Sequence, residues 1–371
     1  MFRSVGKGGR QGGFTLLELA LVALFVGLMT VFLAPSMGSL KQAREQAYVA
    51  EQTAINERIA QALLNHAEYG QLVPGTLIAP CTSSTNKVFY SIYNPTRCSY
   101  TSALLDYLRQ AQVPLNKVND DGTAAKNVRV YQRVASLSQQ ANLYYQGGPV
   151  TYLNYDYGVI YLTNCSFNAA CNQTNASSTN PPRSSNPANP SDTAAYSGRL
   201  TYSNIGTWQP GTFDIAPVYF STLPLQRKML ARTATNIDQL RTALMNFYET
   251  KRAANPSSTA NHYPRPSNPI VQQPADPDPL TNQGCREGWY ILDDALSDIL
   301  LQIGIADSEF GRTAWGASIE YCRDYDPTGA SGYGVAPHHA ALRINRFVSL
   351  GMPADNERNG GDPNNNIVIS F

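Results

Sequence analysis

Charge is scarce in this chain. Asp, Glu, Lys and Arg make up 15% of its 371 residues, against about a quarter in an average soluble domain. The balance is only +1, so bulk electrostatics exclude a strong general pull toward nucleic acid or acidic lipid and leave room only for a local basic patch. Nucleophile elbows, phosphate-cradling glycine loops and zinc signatures are all missing, and the chain is therefore expected not to be an enzyme. There are four histidines, and His338-His339 is their one cluster. Neighbours on a strand point to opposite faces, so the pair fits a solvated or structural role better than a ligand pair. What replaces charge is Tyr (22 residues), Asn, Ser, Thr, Gln, Gly and Pro, a polar and weakly charged composition suited to an extracytoplasmic surface.

The six cysteines, Cys81, Cys98, Cys165, Cys171, Cys285 and Cys322, form no CxxC pair with metal-site spacing. An even count outside the cytoplasm suggests disulfides. Fifteen connectivities exist in principle. Sequential pairing is the simplest, because it closes three short loops and keeps each bridge within one region. Buried thiols packing as small apolar residues are the other reading.

Long hydrophobic runs are absent except for one. Residues 1–13 are hydrophilic and carry Arg3, Lys7 and Arg10 with no acid. The character then changes abruptly to Phe14-Thr-Leu-Leu-Glu18 and an apolar stretch through Gly27 to Pro35. As a helix, 14–35 would be about 33 Å long, enough to cross a hydrocarbon core of about 30 Å. The positive leader would stay in the cytoplasm and the remainder would be exported. An ordinary secretory signal is removed after its apolar stretch, whereas here the processing point is Gly12-Gly13, ahead of it. Cutting there retains the hydrophobic segment as a membrane-held spike. Glu18 sits inside that segment, where a carboxylate costs about 2.5–3.5 kcal/mol near the bilayer centre and less toward an edge. Cleavage after Gly13 would create a free amine on Phe14, one helical turn away. Two readings follow. The carboxylate pairs with that amine on its own or a neighbouring chain, which fixes the axial offset of adjacent helices, or it snorkels to the interface, helped by the helix dipole.

The stretch Gly13-Phe14-Thr15-Leu16-Leu17-Glu18-Leu19, followed by Gly27 and Pro35, resembles the N-terminal signal of type IV pilins and the pseudopilins of secretion systems. The resemblance covers roughly residues 8–65. It implies that a prepilin peptidase cuts after Gly13 and methylates Phe14, that Glu18 is the assembly carboxylate, and that Gly27 and Pro35 are the helix-breaking positions. It further implies insertion in a bacterial inner membrane as a single span, with the head periplasmic. From there the subunit would enter an extracellular filament or periplasmic pseudopilus through contacts with other pilin subunits. Pro35 removes one helical hydrogen bond, giving either a bend that melts on assembly or a simple kink at the membrane exit.

The expected fold class is α+β. The Ala-, Gln-, Glu- and Leu-rich segment 36–66 continues the helix, and Val49, Ile55, Ile59, Ala62 and Leu63 form an apolar stripe that would pack on an antiparallel β-sheet head. The expected organisation is a leader at 1–13, the long helix at 14–66 with its transmembrane part at 14–35, a first head at 67–220, and a second region at 221–371. Within the first head, strands are expected at 88–93, 128–134 and 150–162, a helix at 100–112, and an exposed Asn/Ser/Pro-rich loop at 164–197. Further on, the periodicity predicts an amphipathic helix over 223–252, a short helix at 290–303 whose N-terminal end suits Asp293-Asp294, and strands at 317–323, 340–350 and 366–371. This order also resembles a pilin-type head. The chain then carries either two such heads in tandem or one enlarged head with an insertion.

The terminal loop clusters oxygen donors, among them Asp355, Asn356, Asp362 and Asn364. It is either a polar turn or a Ca²⁺ site resembling that of major pseudopilins, though Arg358 intrudes. No other cofactor is expected. The overall expectation is a structural subunit, a large minor pilin or pseudopilin, with a pilus-displayed adhesin binding cells, surfaces or DNA as the alternative.

Overall fold

The computed structural model describes residues 16–69, 75–79, 89–91, 107–113, 129–143, 149–162, 200–210, 215–267, 284–285, 287–294, 297–326, 336–345, 347–348 and 366–371; for 16–19, 26, 28–37, 89–91, 345 and 347–348 it describes the backbone only. The chain is an α+β protein whose helices accompany two sheets, the second antiparallel and the first antiparallel but for one short parallel strand. It divides into two units, Met1–Ala54 and Ile55–Phe371.

Helix α1 spans Leu16–Tyr69, and its helical backbone includes Pro35. In the first unit the described side chains are largely exposed, with an exposed Lys41–Glu45 pair one turn apart and a hydrogen bond from Thr53 Oγ1 to the Val49 carbonyl. The second unit begins where the apolar stripe becomes buried. Ile55, Ile59, Leu63 and Ala67 pack against Tyr131, Ile160 and Phe220 of the first sheet. A turn of helix at 107–110 joins them through Leu108, and the Tyr107 ring meets His66 edge-on at 4.5 Å.

The first sheet holds β1 (Phe89–Ser91), β2 (Arg129–Asn142), β3 (Val150–Leu162) and β4 (Val218–Ser221) in that order. β2 and β3 form a long hairpin interrupted between Val134 and Leu137, where Ser136 takes φ +58°. β2 therefore runs eight residues past the strand expected at 128–134. That extension, Ala-Ser-Leu-Ser-Gln-Gln-Ala-Asn, is poor in β-formers, and pairing with β3 holds it straight. On the face away from α1, Val159 and Tyr161 pack under Trp208 and Leu200.

Helix α2 spans Leu223–Ala254, with Pro224 in its first turn. Its buried stripe, Leu230, Ile237, Leu240 and Leu244, seals the second sheet. That sheet runs β5 (Tyr290–Ile291), β6 (Glu320–Cys322), β7 (Ala341–Asn345), β9 (Asn366–Ser370), all antiparallel. The helix expected over 290–303 is instead strand β5, a turn, and a single helical turn α3 (Ile299–Gln302). Tertiary contact overrides propensity here. Leu292 N–H donates to the Ile319 carbonyl, and the Gly311 backbone lies so close that a Cβ there would sit 2.7 Å from Asp293 N. Asp293 accordingly does not cap a helix; its Oδ2 meets Arg312 Nε at 2.8 Å.

The two sheets share a core. Leu143 and Leu153 of the β2–β3 hairpin belong to the cluster built on α2. The short strand β8 (Phe347–Val348), which follows β7, pairs in parallel with Tyr152–Leu153 of β3.

Candidate functional site

The residues singled out by sequence fall in three places. Gly13 and Phe14 lie outside the described residues, as do Cys81, Cys98, Cys165, Cys171, the loop 164–197 and the oxygen cluster Asp355, Asn356, Asp362 and Asn364. Glu18 and Pro35 lie in α1, where only the backbone is described. Gly27 is exposed, and a Cβ added to it would meet nothing within 4 Å. Around it Leu21, Val22, Leu24 and Phe25 are 57%, 55%, 67% and 60% exposed. Positions 21, 24 and 25 share a helix face, so this is a continuous apolar strip open to solvent. Among the described residues, no helix is long and apolar enough to cross a membrane; much of 14–35 consists of residues whose side chains are outside that set.

The third place is the second unit, where Cys285 and Cys322 form a disulfide, the last of the three sequential pairs. Trp289 packs beside it, and the Arg343 guanidinium lies 4.4 Å from that indole centroid. Arg343 also pairs with the buried Glu320 across the β6–β7 ladder. The bridge thus fastens the 284–289 segment onto the sheet face opposite α2.

Sequence reasoning passed over a buried polar junction where the end of α1, the first sheet, α2 and the 313–316 turn meet. Asp156 of β3 is fully buried. Its Oδ2 accepts from Leu77 N–H at 2.8 Å and its Oδ1 from Ser136 N–H at 3.0 Å, and Arg133 Nε lies 3.1 Å from Oδ2. Burial pushes the carboxyl pKa above its ordinary value, and Arg133 with the two amides offsets part of that rise. The Asp156 backbone exchanges hydrogen bonds with Thr222, whose hydroxyl accepts from Asp156 N–H and whose N–H donates to Asp156 O. One turn further, buried Gln226 donates to the Gly75 carbonyl at 3.5 Å and accepts from Trp315 Nε1 at 2.6 Å. Gly75, at φ +109°, itself donates to the Ala67 carbonyl of α1. A run of hydrogen bonds therefore leads from the last turns of α1 to the 313–316 turn beside α2. The signal available in the sequence was one acid in the middle of a Tyr- and Val-rich strand.

Chemically the junction is structural. Both Asp156 oxygens are already engaged, so the carboxylate is not a free general base. His338 is also committed, its Nδ1 facing Asp324 Oδ1 at 3.3 Å and its Nε2 facing the Thr259 carbonyl at 2.9 Å. A cleft of about 160 Å³ between α2 and the 313–316 turn is lined by Arg232, Asn236, Glu309 and Trp315. It lacks a paired nucleophile and base. Among the described residues no group of three His, Cys, Asp or Glu side chains is placed to hold a metal ion. No family model matches the chain, and no curated protein or solved structure matches it.

Proposed function

We propose that this chain is a structural subunit of a type IV pilus-like filament, a minor pilin or pseudopilin, cut after Gly13 and assembled through α1. The observation that carries the reading is a lone carboxylate, Glu18, inside an apolar run and one turn from the amine that cleavage would expose on Phe14. The open strip Leu21, Val22, Leu24 and Phe25 supports it, because an exposed apolar patch of this kind marks a site for lipid or protein. In the inner membrane lipid covers the strip; on assembly the same faces move against neighbouring helices, and Glu18 meets the methylated amine of the next chain. A prepilin peptidase is the processing partner.

The second half reads as another pilin-type head. What supports this is recurrence: residues 55–67 of α1 pack on one sheet, at its antiparallel strands, and α2 packs on another. A head of this bulk suits a tip or priming position, which has neighbours on fewer sides than a filament-body position.

The test is the mature N-terminus. Mass spectrometry is expected to find N-methylated Phe14, and a chain retaining Met1 or Arg3 overturns the reading. Glu18→Ala is expected to leave the protein in the membrane but out of filaments; normal incorporation of that variant is equally fatal.

A further inference from the structure

Buried His338 stands where three segments meet: the stretch leading into β7, the end of β6 and the loop that follows α2. Its Nε2 faces the Thr259 carbonyl at 2.9 Å, and its Nδ1 faces Asp324 Oδ1 at 3.3 Å. Asp324 is buried too, whereas residues 251–260 are exposed throughout.

Both ring nitrogens therefore face acceptors. A carbonyl oxygen only accepts, an ionised carboxylate only accepts, and a neutral imidazole offers one N–H and one lone pair. Neutral His338 beside ionised Asp324 can thus serve one of its two partners, with the lone pair turned on the other. One further proton, written on the ring or on the carboxyl, serves both. When that proton leaves, charge decides which partner is kept. An ionised carboxylate is a stronger acceptor than a peptide carbonyl, and the Thr259 carbonyl lies on an exposed stretch where water replaces the lost bond at little cost.

The surroundings hold one side of this arrangement still and leave the other free to move. Tyr325 N–H donates to the His339 carbonyl at 2.8 Å, so Asp324 and His338 stay together in either state. Among the described residues, the other charged or titratable groups on the three segments are Arg323, Tyr325 and Asp326 beside Asp324, His262 on the loop and His339 beside His338. Arg323 donates to the Asn261 carbonyl, Nη2 to O 3.0 Å, and its Nε lies 3.9 Å from Glu287. Asn261 Nδ2 donates in return to the Arg323 carbonyl at 2.8 Å. This exchange holds the loop at 261 in either state and limits the movable part to 255–260. The intervening residues 327–335 contain no Asp, Glu, Lys, Arg or His.

We propose that His338 and Asp324 form a proton-operated clasp on the loop after α2: with the shared proton bound, residues 255–260 are tied to the second sheet, and without it they are released. Imidazole ordinarily changes charge between pH 5 and 8, so the loop is held on the acid side of that interval and let go on the alkaline side. The clasp is independent of the filament reading and of where the N-terminus is cut.

The test is hydrogen exchange of the full chain in detergent, read by mass spectrometry on peptides covering 253–263 from pH 5 to 8, with every rate corrected for the intrinsic pH dependence of amide exchange. In the wild type the corrected exchange of this loop is expected to rise about threefold or more across the interval, as the loss of one hydrogen bond implies, while peptides of β6 and β7 stay unchanged. His338→Gln cannot titrate and is expected to exchange fast at every pH. Asp324→Asn gives the opposite result: its amide N–H serves Nδ1, the ring keeps its Nε2–H for Thr259, and the loop stays protected at every pH. A flat wild-type profile, a loop that tightens as pH rises, or a step that survives in either variant overturns the proposal.

Discussion

Helices α1 and α2 leave opposite surfaces behind. Between Leu223 and Ala254 the stripe Met229, Leu230, Ile237, Leu240 and Leu244 of α2 is turned into a core, and the exposed side carries Arg227, Lys228, Arg232, Asp238, Arg241 and Met245. Along α1 the buried apolar stripe among the described side chains begins at Ile55; further toward the N-terminus, Leu21, Leu24 and Phe25 are exposed. The difference separates a helix with a buried stripe along most of its length from one whose described side chains become buried only in its C-terminal part. The described parts of the sheets differ too: the second holds a covalent bridge, and the first holds the buried junction of Asp156 with Arg133 and the Leu77 and Ser136 amides.

The largest expected effect tests that junction. Asp156→Ala removes the acceptor of the buried Leu77 amide and the part-buried Ser136 amide and the counter-charge of Arg133. The expected loss is roughly 3–5 kcal/mol of unfolding free energy, the usual cost of stranding one member of a buried pair, read by urea denaturation. Because the 75–77 turn and α2 both hang on this point, and because β8 and Leu153 tie the sheets together, one cooperative transition is expected. Two separated transitions would mean that the sheets are independent and that the junction does not couple them.

Next in size is the contrast between the helices. Leu240 is fully buried, so Leu240→Ala is expected to cost about 2–5 kcal/mol through lost burial and a residual cavity. Leu24→Ala, at a position 67% exposed, is expected to stay within about 0.5 kcal/mol in the same measurement, although it enters a strip assigned to lipid and neighbouring chains. A large loss from Leu24→Ala would show that α1 is covered within its own chain, and the comparison would fail.

What the residues disclosed on their own follows from period and length. The β3 expectation, 150–162, coincides with the strand, and α2 begins where predicted and runs two residues longer, because both have strong patterns that tertiary contacts reinforce. Residues 137–142 were illegible as strand because nothing in Ser-Gln-Gln-Ala-Asn favours it; only the facing β3 does. Residues 290–303 have helix-like spacing, yet Tyr290 and Leu292 serve the sheet core, and Asp298 is drawn off by the Ser267 amide and hydroxyl. The junction was hidden for a different reason. Leu77 and Asp156 are 79 positions apart, and Gln226 joins Gly75 to Trp315, so no local pattern contains it.

The smallest expected effect concerns the charge state of that junction. Burial raises the Asp156 pKa in the folded chain, despite Arg133 and the amides of Ser136 and Leu77. In the unfolded chain the group titrates near its ordinary value of about 3.9. The fold therefore binds this proton more tightly than the unfolded chain does, and stability falls as pH rises through the interval between the two values. The contribution is complete below the unfolded value and gone above the folded one, the reverse of an exposed, salt-bridged carboxylate. Asp156→Asn removes the titration. The stability difference between wild type and this variant should thus shift against wild type as pH climbs from about 3.5 toward neutrality, and then level off. Urea midpoints measured for both proteins across that range check the sign. A difference that moves in wild type's favour with rising pH would mean that the ion pair with Arg133 outweighs burial, making the first sheet's fastening an electrostatic one.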